Sequence, residues 1–262
     1  PFLTNNDPFL AAAALDFLGR PEHTKFLQTH AADGDAQVRL GVLLALRRTG
    51  HVKARTSIAA FLEDADPHVR RAAIQWIGEE QLAEYEPLEQ ILTRGPHSRE
   101  LFEALLAAKE LLAGVARKPT DEPSGEDLVV KILLDPGQPL PVHSWALYTV
   151  RPDHPELKTG VLKSFLGRDK SQSLKTPALQ TLGMRSDRES QTLLREFAAD
   201  TEEKDHWRAL AIYGLAQSAA DSAETQKFLL DVLRTQSDAL GWAAIRSLRG
   251  AARSPELRMA VV

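Results

Sequence analysis

The sequence predicts an all-α protein: a right-handed α–α superhelix (an α-solenoid) of about eight stacked helix pairs, the last one truncated. The first observation is a phrase that occurs eight times, in which an apolar, a small and an apolar residue follow one another at intervals of four, with Glu100 at the first position of the fourth copy. The second is its period of about 32 residues, which is typical of stacked helix pairs. The third is the composition, since 43% of the residues are apolar but only 6% are aromatic.

The small residue at the centre of each phrase is the anchor of its repeat. An apolar residue four positions before it and another four positions after it form one stripe along a helix. A side chain larger than Ala or Val at the anchor would push the paired helices apart. Successive anchors are 28–33 residues apart, except for one interval of 42. They are Ala14, Val42, Ala73, Ala104, Ala146, Ala178, Ala211 and Ala244.

The third repeat shows the elements in order. Asp66 is a favoured N-cap and Pro67 suits the first helical position, so a first helix is predicted over residues 68–77. Gly78 is predicted to stop that helix. A second helix follows over residues 87–93, which closes the pair.

The other repeats follow the same order. The first helix of the first repeat opens at Asp7 and ends near Gly19, and that of the second opens at Asp35 and ends near Gly50. Second helices are predicted over residues 23–32, 55–62, 127–134, 156–166, 189–199 and 224–235. The repeats therefore fill residues 1–262, which are predicted to form a single solenoid domain.

Two segments interrupt the period. Residues 117–126 form a polar insert that accounts for the long interval, and they open a proline-rich centre over residues 119–155. Residues 254–262 resemble the first turns of an eighth second helix, and their apolar end is unlike a polar terminal repeat. We therefore expect the chain to be a fragment of a longer protein.

The sequence predicts no catalytic, cofactor-binding or metal-binding residue in this segment. It has no cysteine, and none of its eight histidines has another histidine three or four positions away. Phosphate-binding glycine loops and nucleophile-elbow motifs do not occur in it. No stretch approaches the roughly 20 apolar residues of a membrane span. The segment is therefore predicted not to be an enzyme.

A charged ladder between repeats is predicted from a motif that occurs twice. Asp35 and Arg39 in the second repeat correspond to Asp66 and Arg70 in the third. The two arginines could clamp a ligand. Because both residue types recur in step with the period, we instead expect them to tie neighbouring repeats together.

Nucleic acid is not an expected partner. The formal net charge is −4, whereas proteins that grip phosphate backbones are basic. The four tryptophans fall at different places within their repeats, so they are predicted to pack in the core rather than to stack bases. They are Trp76, Trp145, Trp207 and Trp242.

A partner protein is expected to bind the outward residues of the second helices, which usually line the concave side of such stacks. The helical spacing gives Lys131, Lys163 and Arg195 as candidates. The alternative is that these charges are merely solvated. The oligomeric state is left open.

The phrases resemble HEAT repeats, and the short period with Asp-Pro-x-Val-Arg-x-Ala-Ala resembles the bacterial subtype also found in phycobilisome lyases. Residues 7–112 also resemble the helical-repeat section of large planctomycete proteins, carried by residues 38–48, 69–80 and 99–104. In those proteins a sugar-dehydrogenase-like propeller precedes the repeats, and a c-type haem domain with Cys-x-x-Cys-His follows. That resemblance implies an exported, membrane-associated redox parent protein, but it transfers no catalytic or haem-binding residue to this segment.

The sequence thus predicts a non-catalytic scaffold that contacts proteins or flanking domains of its own chain. One alternative is a spacer between the dehydrogenase and haem domains of a redox protein. A second alternative is a HEAT-like enzyme, of the DNA glycosylase or chromophore lyase type. The compartment would be extracytoplasmic if the planctomycete resemblance holds and cytoplasmic otherwise.

Overall fold

The computed structural model describes residues 3, 7–85, 88–93, 97–114 and 126–249. Over these ranges it contains fourteen α-helices, five short 3-10 helices and no strand. The predicted all-α, α-solenoid fold is confirmed. Among the described helices, none combines the length and the apolar character needed to cross a bilayer.

Each anchor lies in an α-helix that we call the first helix of its repeat. Seven of the eight anchors are buried, and Ala14 in the first repeat is half-buried. Numbered with all α-helices in chain order, the first helices are α1 (Pro8–Leu18), α3 (Ala36–Arg48), α5 (Pro67–Glu79), α6 (Arg99–Leu112), α8 (Leu140–Thr149), α10 (Gln172–Gly183), α12 (Asp205–Gly214) and α14 (Asp238–Arg249).

The second elements lie between the first helices and differ along the chain. The α-helices among them are α2 (Thr24–Thr29), α4 (Ile58–Leu62), α7 (Glu126–Leu134), α9 (Thr159–Ser164), α11 (Arg188–Ala199) and α13 (Ala223–Thr235). In the second repeat a 3-10 helix over Val52–Ser57 precedes α4, and in the third the second element is 3-10 over Ala83–Tyr85 and Leu88–Thr93. The prediction of full α-helices over 55–62 and 87–93 is therefore wrong. In these two repeats the segments are short connections between first helices, and short 3-10 turns are frequent as connectors.

The chain divides into two compact units. The N-terminal unit comprises residues 1–128 with 137–142, and the C-terminal unit comprises residues 129–136 with 143–262. The single domain predicted over residues 1–262 stays a prediction. Residues 254–262 and all of the predicted insert 117–126 except Glu126 lie outside the described residues.

Glycines allow first helices to approach closely within each unit. A Cβ added at Gly183 would lie 2.7 Å from the Cα of Gly214 on the neighbouring first helix. In the N-terminal unit, a Cβ on Gly78 would lie 2.7 Å from the Cα of Ala108. Gly78 is inside α5, which continues to Glu79. Its predicted role as a helix stop is therefore wrong, because the residue is needed for contact with α6.

A basic residue occupies the position three before the anchor in five repeats. In the second repeat, Arg39 donates two hydrogen bonds to the Asp64 carboxylate (2.6 and 2.7 Å) and one to the carbonyl oxygen of Asp33 (2.8 Å). It thereby ties the loop before its own helix to the loop before the next one. The five residues are Arg39, Arg70, His143, Lys175 and Arg208.

The same arrangement recurs in the C-terminal unit. Lys175 Nζ lies 2.8 and 3.0 Å from the Glu203 carboxylate oxygens, and both side chains are buried. Arg208 donates to the carbonyl oxygen of Ala198 (2.9 Å) and to Oε1 of Gln236 (3.0 Å). Each acceptor side chain lies 25–28 residues after its donor, in the loop that leads to the next repeat.

The four residues of the predicted charged ladder lie in the N-terminal unit, at the starts of α3 and α5. Asp35 and Asp66 cap α3 and α5, and their carboxylates accept hydrogen bonds from backbone N–H groups. Arg39 crosses to the following repeat, but the carboxylate it contacts is that of Asp64. Arg70 is 2% exposed, and burial lowers the pKa of its guanidinium despite the nearby carboxylates.

Candidate functional site

Two grooves lie on the surface formed by α9, α11 and α13 in the C-terminal unit, which we call the second-helix surface. The groove between α9 and α11, called the Lys163 groove, has a volume of about 480 Å³. The groove between α11 and the start of α13, called the Arg195 groove, has a volume of about 310 Å³. Two of the three predicted contact residues thus line a groove.

Arg188 lines both grooves. It is the first residue of α11, and its exposed side chain makes no hydrogen bond or ion pair with a described residue. The side chain of Lys163 is also exposed and lacks such a partner. Two cations on this surface are therefore free to meet a ligand.

Arg195 is held within the structure. Its guanidinium donates to Oγ1 of Thr225 (3.2 Å) and Oγ1 of Thr192 (3.0 Å), and it pairs with Glu224 at 3.1 Å. Its side chain is 11% exposed. Arg195 therefore joins α11 to α13 and forms part of the wall of its groove.

A partly buried polar network supports the floor of the grooves. Asp187 caps α11 by accepting from the backbone N–H of Ser190 (2.9 Å), and it also accepts from Nε of Arg185 (2.8 Å). The Ser190 hydroxyl, which is fully buried, lies 3.2 Å from that of Thr159 at the start of α9. Arg185 also donates to two carbonyl oxygens of the preceding repeat, at 2.9 and 2.7 Å.

The network continues to the next repeat through Gln191. The amide of this residue donates to the carbonyl oxygen of Arg185 (2.6 Å) and accepts from the Ser218 hydroxyl (2.5 Å). Gln191 is 4% exposed, and both of its contacts are partly buried. Three consecutive repeats are thereby fixed to one another, and side chains on the second-helix surface stand on a rigid base.

The charge of Asp187 is stabilised within this network. Burial alone would raise the pKa of its carboxyl group. Hydrogen bonds from Ser190 and from the Arg185 guanidinium outweigh that effect, so the pKa is lowered overall. The carboxylate therefore stays ionised at neutral pH and holds the start of α11.

The lining residues define what the grooves can bind. Four carboxylates line the same grooves as Lys163, Arg188 and Arg195, so a polyanion would be repelled as well as attracted. Hydroxyl and amide groups between the charges suit the backbone and side chains of a peptide. The four carboxylates belong to Glu189, Glu196, Asp221 and Glu224.

The remaining predicted positions lie elsewhere. Lys131 is exposed on α7 and lines neither groove. Trp76 and Trp207 are buried, as predicted, but Trp242 is 63% exposed, so the expectation that it packs in the core is wrong. The described residues contain no group of three or more His, Asp or Glu side chains placed to hold a metal ion.

Sequence reasoning missed Arg188. Its position seven residues before Arg195 puts both on one face of α11. That spacing is the signal that could have revealed it. The repeat pattern marks only buried positions, and a free surface arginine leaves no trace in it.

Comparison with known proteins supports the repeat assignment. Residues 24–109 match the family described as HEAT repeats. A solved structure of human deoxyhypusine hydroxylase in complex with glycerol is similar over 97% of this chain and 94% of its own, at 17% identity and a TM-score of 0.40. No curated protein matches the chain. The HEAT-repeat match and the all-helical structure together show a HEAT-like α-solenoid fold.

The prediction that this segment is not an enzyme is wrong. It rested on a repeat pattern without catalytic motifs, but the similar structure is named as a hydroxylase. At this identity and TM-score the similarity assigns no activity to this chain.

Proposed function

We propose that this chain binds a partner protein through the second-helix surface, taking up an extended acidic segment of that partner. The observation that carries the proposal is Arg188, an exposed cation that lines two adjoining grooves and has no partner among the described residues. Lys163 offers a second free cation in the neighbouring groove. The rigid floor beneath them favours binding, because little side-chain order has to be gained.

The mixed charge of the grooves supports a peptide over a nucleic acid. A carboxylate of the partner would lie at Arg188, and basic or polar residues on either side would meet the groove carboxylates. Arginine suits this role because its guanidinium can bind a carboxylate through two parallel hydrogen bonds.

Selection from a displayed library of random 15-residue peptides tests the proposal, with the intact wild-type chain as the only bait; the selected peptides are then titrated against the wild type and the Arg188→Ala variant. We expect the selected peptides to share an acidic position. Their Kd should rise about fivefold on Arg188→Ala, which corresponds to about 1 kcal/mol for one partly exposed ion pair.

Arg234→Ala is the matched control, because Arg234 is exposed on α13 and lines neither groove. It should leave the Kd within about twofold of the wild-type value. Peptides that bind the Arg188→Ala variant as tightly as the wild type would refute the proposal.

The redox parent protein implied by the planctomycete resemblance stays a separate proposal. In that setting the partner segment would belong to a flanking domain of the same protein. The sequence of the whole gene tests this: a Cys-x-x-Cys-His motif downstream supports it, and a gene with neither flanking domain contradicts it.

A further inference from the structure

An apolar groove in the N-terminal unit is unrelated to the second-helix surface. It has a volume of about 520 Å³ and is bounded by α1, α2, α3 and the side chain of Leu3. Phe17 and Phe26 line it and are each 54% exposed, and Leu10 is 45% exposed. Aromatic and aliphatic side chains in a concave site of this size are typical of a binding site.

The other repeats show what covers this kind of surface. The apolar stripe of α1 contains Leu10 and the anchor Ala14. The residue equivalent to Leu10 is Val69 in the third repeat and Leu240 in the eighth, and these are 0% and 1% exposed. In those repeats the stripe is covered by neighbouring helices of the stack. In α1 the corresponding stripe opens into the groove instead.

Free cations outnumber free carboxylates beside the groove among the described residues. The Arg20 guanidinium lies 5.4 Å from the centroid of the Phe17 ring and has no carboxylate partner among the described residues. Lys25, next to Phe26, is likewise exposed and unpaired there, whereas Glu22 is a single free carboxylate nearby. The rim therefore favours a ligand with acidic residues beside its apolar face.

We infer that this groove binds an amphipathic α-helix of a partner protein, with an aliphatic stripe and acidic residues along one edge. The groove is too small for a whole helix, so the partner's aliphatic side chains enter it while its backbone rests on the rim. Ala13 and Ala14 supply the small residues over which a helix can approach closely.

A peptide with the sequence of α6 can serve as a probe for the binding of an amphipathic helix to the groove. Its sequence over residues 99–112 has an apolar stripe that packs against α5 in this chain, and it carries three glutamates. A hydrocarbon-stapled, fluorescein-labelled peptide of this sequence would be titrated with the intact chain and followed by fluorescence anisotropy. Stapling is needed because a free helix of this length is marginal in water.

We expect saturable binding with a Kd below about 100 µM. Phe17→Asp should raise the Kd at least about tenfold, because it places a charge in the apolar groove. Ala13→Trp should do the same by filling the groove, and it remains informative if Phe17→Asp impairs folding. Met184→Asp is the control, since Met184 is 63% exposed in the other unit. It should change the Kd by less than about twofold.

Three results would overturn the inference. One is the absence of saturable binding. Another is equal binding by the wild type and both groove variants. The third is a concentration-dependent dimer of the wild type in sedimentation analysis that Phe17→Asp abolishes, since the occupant would then be a second copy of the chain.

Discussion

Replacing Lys175 by Met tests the buried ion pair that ties the sixth repeat to the seventh. The Lys175 side chain is 1% exposed and that of Glu203 is 5% exposed. The ammonium group also lies 4.3 Å from the centroid of the Trp207 ring. Met keeps most of the apolar length of the side chain, so the substitution removes the charge and little of the packing.

The expected loss of unfolding free energy follows from the Glu203 charge, which is left without its partner. Removing one member of a buried ion pair costs about 3–5 kcal/mol, because the other charge stays out of water without a partner. The lost cation–π contact adds to this, by up to about 2 kcal/mol at a desolvated site. Rotation of Glu203 into solvent would offset part of the loss, so we expect about 3–5 kcal/mol in total.

Urea unfolding at pH 7 measures the effect, followed by far-UV circular dichroism and by tryptophan fluorescence. The matched variant is the double substitution Lys175→Met with Glu203→Leu, which removes both charges. It should unfold within about 1–2 kcal/mol of the wild type. A loss below about 1 kcal/mol for Lys175→Met, or a larger loss for the double variant, would refute the reasoning.

Two further predictions concern the close contact between Gly183 and Gly214 and the ion pair between Arg39 and Asp64. Gly183→Ala should cost about 1–3 kcal/mol of unfolding free energy, because the new Cβ would meet the backbone of Gly214; Gly160→Ala, where a Cβ meets nothing within 4 Å, should cost nothing in the same urea titration. Burial raises the pKa of the Asp64 carboxyl, but the hydrogen bond from Arg39 helps to lower it overall below 3.8. The wild type should therefore exceed Asp64→Asn in stability most at neutral pH, and the difference should shrink as the pH falls through and below 3.8. A difference that grows on acidification would contradict this assignment.

The first helices could be predicted from the sequence because their stripe is a packing requirement. An anchor such as Ala73 has to be small, and the residues four positions before and after it have to be apolar. This requirement produces a periodic pattern in the sequence. The helix N-caps could also be predicted from the sequence, since Asp66 before Pro67 accepts hydrogen bonds from free N–H groups of the first turn. Both signals are local and depend on few contacts.

The second elements and the surface were harder to predict. Residues 52–57 form a 3-10 helix because a short segment takes the turn that its neighbours allow, which no local pattern reveals. Gly78 could mark either a helix end or a close approach, and only the position of Ala108 decides between them. Arg188 is outside the packing pattern altogether, so nothing in the repeat distinguishes it from a solvated charge.

Asp64 illustrates a related difficulty. The motif drew attention to the aspartates that start α3 and α5, because they recur in step with the period. The residue that Arg39 contacts, Asp64, lies two positions before Asp66 in the preceding loop. Side-chain reach across a loop depends on three-dimensional geometry that the spacing alone does not contain.

Photo-crosslinking on the second-helix surface tests the central claim most directly. A photoreactive benzoylphenylalanine would replace Thr192, which lines the Lys163 groove. In a second variant it would replace Tyr148, which is 56% exposed on the first helix α8. With the selected peptide bound, the account predicts a crosslink at position 192 and none at position 148. A crosslink at position 148 without one at position 192 would contradict it.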